Sequence, residues 1–134
     1  MLRPALLSLA TLALLSLPAA ADGNPIADLI GSNWQLAELD GAAIGGETVS
    51  TLEISADRVG GKGGCNTYGG NLETTPTGVR ITQTVSTMMA CPGLDQEQAF
   101  FAALEETRNF VVSNGDLQLL DADGNILARL TAAN

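Results

Sequence analysis

The segment GGKGGCNTYGGN, residues 60–71, constrains the fold of this chain more than any other stretch of its sequence. Six of its twelve residues are glycine, which suits positive φ and close backbone approach rather than the interior of a helix. Because strand-like residues flank it on both sides, the glycines are predicted to mark a bulge or a contact with another strand. A phosphate loop is disfavoured, because Lys62 is followed by Gly63 rather than Ser or Thr and no helix follows.

The beginning of the chain has the three parts of a secretory signal peptide. Arg3 supplies a positive charge, residues 5–17 form an apolar run, and the alanines at 19–21 provide a small-residue cleavage site. The run is shorter than the roughly 20 residues that span a bilayer. No cysteine lies at the cleavage site, so a lipid anchor is not indicated. We predict cleavage before Asp22 and a periplasmic or secreted protein with no stable membrane anchor.

These features predict a chain with one domain. The signal peptide is assigned to residues 1–21, a short leader to 22–28 and the domain to 29–134. About 113 residues remain after cleavage, which is the usual size of a single domain. The protein is expected to be a monomer.

Charge and composition exclude several classes of function. The net charge is −9, and removal of Arg3 would leave 15 acidic and 5 basic residues, a charge of −10. An acidic chain of this kind is not expected to bind nucleic acid or an anionic membrane surface. The chain contains no histidine, which excludes histidine-dependent triads, bases and metal ligands. We predict no cofactor.

Alternation of apolar and polar residues predicts a mainly β fold. The Asn114-Gly115 pair is a strong hairpin signal, and DADGN at residues 121–125 is a second tight turn. The short, regularly spaced strands suggest a sandwich or small barrel. Strands are predicted at residues 33–39, 48–55, 58–63, 70–74, 79–85, 110–113, 117–120 and 126–130.

One amphipathic helix is predicted over residues 95–108. Asp95 is expected to be its N-cap, with Gln98 three residues later. An apolar stripe that includes Phe100 is expected to pack in one core with Trp34. Arg108 lies at the end where a cation suits the helix dipole.

Cys65 and Cys91 are the only cysteines, and a secreted domain with two cysteines usually pairs them. The alternative is a reactive thiol, because Cys91 lies near the start of the helix, where a thiolate is favoured. Against this, the chain has no C-x-x-C motif and no histidine base. We therefore predict a structural disulfide between Cys65 and Cys91.

The remaining candidate sites are weak. The DADGN segment lacks the glycine and glutamate spacing of a calcium loop. Nothing singles out a pair for acid–base chemistry among Glu97, Glu105 and Glu106 on the helix and Asp57 and Glu53 in the strands, and most of these are predicted to be solvated surface charges. Met88 and Met89 could line an apolar groove or fill the core, and core filling is expected for one of them.

Two motifs resemble the META domain, the HslJ-like heat-shock protein family. They are GCNTYGG at residues 64–70 and STMMACPG at 86–93, the latter followed by EQAFFAAL at 97–104. The similarity continues in the tryptophan strand at 33–41 and the closing hairpin at 117–130. The motif residues are Gly64, Cys65, Asn66, Tyr68, Gly70, Thr87, Met89, Ala90, Cys91 and Pro92.

The resemblance implies a small antiparallel, barrel-like (lipocalin-like) sheet with one packed helix, and no known enzyme activity. It also implies an envelope or secreted protein associated with heat shock and stress. Many members carry a lipid anchor, for which this chain has no cysteine. Within this fold, Cys65 and Asn66 are interpreted as a folding device, and Tyr68 is expected to pack its ring while its hydroxyl finds a partner.

Two functions follow for testing. The first is a non-enzymatic envelope protein that binds a protein partner or a small apolar ligand under stress. The second is a thiol–disulfide or other small envelope enzyme that uses Cys91. The missing histidine and C-x-x-C motif favour the first.

Overall fold

The computed structural model describes residues 26–133, which form a nine-stranded antiparallel sheet and one α-helix. The predicted signal peptide, 1–21, and residues 22–25 of the leader lie outside the described residues. A 3₁₀ turn at Ala27–Leu29 precedes the first strand. The elements are β1 (Asn33–Leu39), β2 (Ala42–Ala43), β3 (Thr51–Ile54), β4 (Arg58–Lys62), β5 (Thr67–Thr75), β6 (Gly78–Ser86), α1 (Leu94–Glu106), β7 (Asn109–Ser113), β8 (Asp116–Leu120) and β9 (Ile126–Ala132).

The sheet follows the order β6-β5-β4-β3-β1-β9-β8-β7, and the short β2 pairs with β1. All pairings are antiparallel, as expected for a chain of hairpins. The two ends of the path approach each other where the Val79 N–H donates to the Arg108 carbonyl at 2.7 Å. No ladder joins β6 to β7 among the described residues, so the sheet is curved but not closed. The mainly β prediction is confirmed.

The core lies between the inner face of this sheet and α1. Trp34 and Phe100 belong to the same buried cluster, as predicted, and Phe100 is completely buried. The helix contributes Phe100, Ala103 and Leu104, which recur on one face because an α-helix has about 3.6 residues per turn. Ile26 is also fully buried, so packing begins within the predicted leader.

The helix starts in a different way from the prediction. Its N-cap is Gly93, which makes no side-chain cap hydrogen bond, and Asp95 lies in the first turn. The physical reason is that Gly93 packs against Gly64, which fixes where the helix begins, and Asp95 is left to favour the helix dipole. The helix ends at Glu106, because Thr107 has an extended backbone. The Arg108 guanidinium still lies at this end of the helix, where it donates to the carbonyl oxygens of Glu105 and Thr107 at 2.8 and 2.9 Å.

Candidate functional site

The site occupies the junction between the glycine segment and the chain that leads into α1. A disulfide joins Cys65, which follows β4, to Cys91, which precedes α1, with their Cα atoms 5.8 Å apart. Gly64 and Gly93 make this approach possible. A Cβ atom added to Gly93 would lie 2.8 Å from the Gly64 carbonyl oxygen, so a side chain there would push the two segments apart.

Asn66 is the polar centre of the junction and is only 2 % exposed. Its Oδ1 accepts hydrogen bonds from the Thr87 hydroxyl at 2.9 Å and the Met89 N–H at 2.6 Å. Its Nδ2 donates to Glu97 Oε2 at 2.7 Å and to the Met89 carbonyl at 3.2 Å. The amide therefore uses both its oxygen and its nitrogen, as a buried amide must. Asn66 therefore satisfies both the N–H and the carbonyl of Met89.

Glu97 holds the same segment from the helix side. Its Oε1 accepts from the backbone N–H groups of Cys65, at 3.1 Å, and Asn66. Burial alone would raise the pKa of this carboxyl, but the hydrogen bonds from Asn66 and Cys65 outweigh burial and lower it below its ordinary value of 4.5. Glu97 is therefore a charged, buried bridge between α1 and the glycine segment.

Glu97 is an exception to the prediction that most of the helix and strand carboxylates are solvated, since it is only 2 % exposed. The signal that identifies it is its spacing. Glu97 lies three, four and seven residues before Phe100, Phe101 and Leu104, which places it on the apolar stripe of the helix. Glu105 and Glu106 fall on the exposed face, as predicted.

A second polar bridge supports the junction from the residues just before β3. The hydroxyl of Ser50, which is 1 % exposed, donates to the Gly63 carbonyl at 2.6 Å and accepts from Gln96 Nε2 at 2.9 Å. Gln96 also donates to the Thr48 carbonyl at 3.2 Å. Because Gly63 carries no side chain, the Glu97 and Phe101 side chains occupy the space that a Cβ atom would need.

Tyr68 closes the inner side of the junction. Its ring meets Phe100 edge-on at 5.9 Å and Phe101 at 5.1 Å between centroids. Its hydroxyl donates to the Thr51 carbonyl at 2.7 Å, so both parts of the residue have the contacts expected of a buried tyrosine. Burial, together with the nearby Glu53 charge, raises the pKa of Tyr68 well above its ordinary value.

Both methionines project outward instead of filling the core. Met88 is 96 % exposed and Met89 is 60 % exposed, so the expectation that one fills the core is wrong. The reason is that Asn66 binds the main chain of Met89, which fixes the segment at the surface. The methionine groove, a depression of about 400 Å³, is lined by Asn66, Ser86, Thr87, Met88, Met89, Ala90, Leu94, Glu97, Gln98 and Phe101.

Other candidate chemistry finds little support in the described residues. No group of three or more potential metal ligands occurs among residues 26–133. The Asp121 carboxylate in the DADGN segment accepts hydrogen bonds from the Asp123 and Asn125 N–H groups, both at 2.9 Å, as in a tight turn. Within the same range, no helix is long and apolar enough to cross a membrane.

The remaining motif residues divide between the junction and the neighbouring strands. The connection from β6 to α1 contains Thr87, Met89, Ala90, Cys91 and Pro92. The connection from β4 to β5 contains Gly64, Cys65 and Asn66. Tyr68 and Gly70 lie within β5. The structure thus brings the two sequence motifs into contact through one disulfide and the Asn66 side chain.

Comparison with known proteins identifies the family. A solved NMR structure of a protein from Burkholderia xenovorans is 23 % identical, has a TM-score of 0.63, and is matched over 88 % of this chain and 99 % of that one. A second NMR structure is 17 % identical, has a TM-score of 0.58, and is matched over 76 % and 90 %. Both share the fold. No curated protein sequence matches the chain. The sequence profile of the META domain matches residues 27–134, and the chain therefore belongs to the META domain family.

Proposed function

We propose that this protein is a non-enzymatic periplasmic or secreted protein of the envelope stress response, which binds a protein partner or a small apolar ligand. The observation that carries the proposal is the methionine groove. Two flexible, polarisable side chains are held in water, at 96 % and 60 % exposure, beside the half-buried Phe101 and Leu94. Methionine surfaces of this kind adapt to apolar partners of different shape.

The main chain beneath the groove is fixed before any ligand arrives. The disulfide holds Cys91, and Asn66 holds the N–H and the carbonyl of Met89. A site whose backbone is already ordered loses less conformational entropy on binding, so more of the contact energy becomes affinity. The polar groups of Asn66 and Glu97 bind each other and the chain, which leaves apolar contact as the main source of affinity.

Periplasmic or secreted location and export are part of the same proposal. The signal peptide pattern at residues 1–21 supports export. The Cys65–Cys91 disulfide is compatible with an oxidising compartment. Intact-mass measurement of the exported protein tests this, since the mature chain should begin at or near Asp22. A secreted chain that retained residues 1–17 would contradict it.

Binding at the groove is tested with the uncharged apolar dye N-phenyl-1-naphthylamine. We expect saturable fluorescence enhancement with the native protein and its loss in the double variant Met88→Ser/Met89→Ser. Val85→Ser is the matched control, because Val85 is an apolar residue of β6 that is 67 % exposed and lies outside the groove lining. Equal enhancement in the double variant and the control would contradict the groove as the binding site.

The second candidate, a thiol–disulfide enzyme that uses Cys91, has one favourable observation. Cys91 is exposed and lies three residues before the first residue of α1, where a thiolate is stabilised. An insulin-reduction assay with dithiothreitol distinguishes the two functions. We expect no rate above that of a Cys91→Ser variant, and a higher rate that is lost only in this variant would establish the enzyme instead.

A further inference from the structure

A second depression, of about 610 Å³, lies over β3, β4 and β5 and shares no lining residue with the methionine groove. We call it the outer-face groove and define it by Glu53, Arg58, Gly60, Lys62, Thr67 and Gly69. Gly60 and Gly69 are direct partners across β4 and β5, so neither residue at the middle of the groove has a side chain of its own to fill it.

The two glycines make room for a ligand and for Arg58. A Cβ atom added to Gly69 would lie 3.1 Å from Arg58 Nη2, which shows that the guanidinium extends over this glycine. Arg58, Gly60 and Lys62 alternate along β4 and share one face, because side chains of a strand point to the same side at every second residue. The Cα atoms of the two cations are therefore separated by about 13 Å along the strand. The charges are closer than this, because the Arg58 guanidinium extends over Gly69, which pairs with Gly60 between them.

Arg58 and Lys62 carry charge that the described part of the protein does not pair. Neither forms an ion pair within residues 26–133, whereas Arg129 binds both Glu38 and Asp116 at 2.9 Å. Arg58 has only a long hydrogen bond of 3.4 Å, to Asn71 Oδ1. In a chain of net charge −9, two unpaired cations in one groove are available to an anionic ligand.

The other groups of the groove favour a sugar over a peptide. β4 is paired on both sides, by β3 and β5, so an acidic peptide finds no free main-chain edge to extend. The Glu53 carboxylate lies opposite Gly60 and can accept hydrogen bonds from ligand hydroxyl groups, as can the exposed Thr67 hydroxyl. A flat floor, hydroxyl acceptors and two separated cations are complementary to a chain of sugar rings that bears carboxylates.

We propose that the outer-face groove binds an acidic oligosaccharide, with Arg58 and Lys62 holding its carboxylates and Glu53 accepting its hydroxyl groups over the Gly60–Gly69 floor. Carboxylates on alternate rings reach both cations. This site is independent of the apolar site proposed above, and either can exist without the other.

The test is an NMR titration of the full domain with an α-1,4-linked galacturonate trimer. We expect saturable shifts centred on the Gly60 and Gly69 amides, and none with neutral maltotriose of the same length. Arg58→Gln and Lys62→Gln should each weaken binding about 10-fold or more, the usual effect of losing a charge-assisted hydrogen bond. Arg80→Gln is the matched control, since Arg80 is an exposed cation on β6 outside the groove. Unchanged amide spectra of the free variants establish that each remains folded.

Three results would overturn the proposal. The first is the absence of saturable shifts in the folded protein. The second is equal binding of maltotriose, or an equal loss of affinity in Arg80→Gln, which would show that the two cations of the groove are not used. The third is tighter binding of a penta-glutamate peptide that depends on the same two cations, which would assign the groove to an acidic protein segment.

Discussion

Two polar side chains bind main-chain groups at loops of this protein, and they differ in what they join. Asp121 accepts hydrogen bonds from residues two and four positions along the chain, in an exposed turn. Asn66 binds Thr87, Met89 and Glu97, which lie 21 to 31 positions away, and it is buried. The first fixes a local bend that water could also solvate. The second joins separate segments and includes a buried bond to Glu97 that water cannot readily replace, so its loss should destabilise the whole fold.

The largest effect should come from the apolar contact beside the Asn66 junction. Phe100→Ala removes a completely buried ring that packs edge-on against Tyr68. We expect a loss of about 3–5 kcal/mol in the free energy of unfolding, from lost burial and the cavity left behind. Denaturant titration measures it, and a loss below about 1 kcal/mol would show that the stripe does not pack as described.

Loss of the disulfide should have the second-largest effect on the free energy of unfolding. Cys65 and Cys91 enclose a loop with a sequence separation of 26, for which the chain-entropy model gives about 3.5 kcal/mol. Cys65→Ser and Cys91→Ser should each destabilise by a similar amount, about 2–5 kcal/mol. The double variant should cost little more than either single change, because both remove the same link. Additive losses in denaturant titrations would mean that the cysteines stabilise the fold separately.

Asn66→Ala is the direct probe of the junction around Asn66. It leaves one oxygen of the buried Glu97 and the partly buried Met89 N–H without their partners. We expect a loss of about 2–4 kcal/mol in unfolding free energy, from the unsatisfied groups. Asn71→Ala is a suitable control, because the amide of Asn71 makes exposed contacts to Arg58 and Gln83. Equal losses for the two variants would remove the distinction between buried and exposed amides.

Acid should weaken the junction through Glu97. Its pKa is lower in the folded chain than its ordinary value of 4.5, so folding favours the ionised form. The stabilisation is therefore complete above about pH 4.5 and is lost as the pH falls through the folded pKa. Glu97→Gln should be less stable at neutral pH and lose less on acidification. Glu105→Gln, at an exposed position on the same helix, should keep the acid dependence of the native protein. Parallel pH profiles for Glu97→Gln and the native chain would contradict this.

The smallest effect is expected at the exposed turn. Asp121→Ala removes two main-chain hydrogen bonds and one to the Asn125 side chain, all in contact with water. Water can replace these bonds, so the midpoint of denaturation should move far less than in Asn66→Ala. A shift as large as that of Asn66→Ala would show that the number of hydrogen bonds removed, rather than their burial, determines the loss of stability.

The difference between local contacts, as at Asp121, and contacts between distant segments, as at Asn66, also explains which parts of the fold could be predicted from sequence. Strand β1 and the hairpin at Asn114-Gly115 follow from alternation and turn chemistry, which depend on neighbouring residues only. The bounds of β3 and β5 differ from the prediction because distant partners decide how far each strand extends. β3 is shorter than expected, and β5 begins at Thr67 and runs through Gly69 and Gly70.

The candidate site was only partly predictable for the same reason. The pairing of Cys65 with Cys91 followed from cysteine count and the expected compartment. Glu97 was missed because single-residue polarity suggested solvent, although its place on the apolar stripe indicated burial. The exposure of Met88 and Met89 depends on the hydrogen bonds between the Asn66 side chain and the main chain of Met89. These residues are 23 positions apart in the sequence, so no local pattern predicts the contact.

The pairing of β1 with β9 also sets the order in which the protein can be completed during synthesis. Trp34 lies opposite Ala132, and Asn33 accepts a hydrogen bond from the Ala133 N–H at 2.8 Å, so the first long strand has its second neighbour only when the last strand exists. A nascent chain grows from its N-terminus, so a contact of such high sequence separation can form only after the later strand has been synthesised. Until β9 has been synthesised, one edge of β1 stays unpaired. The sheet of this domain therefore cannot be completed before translation reaches β9.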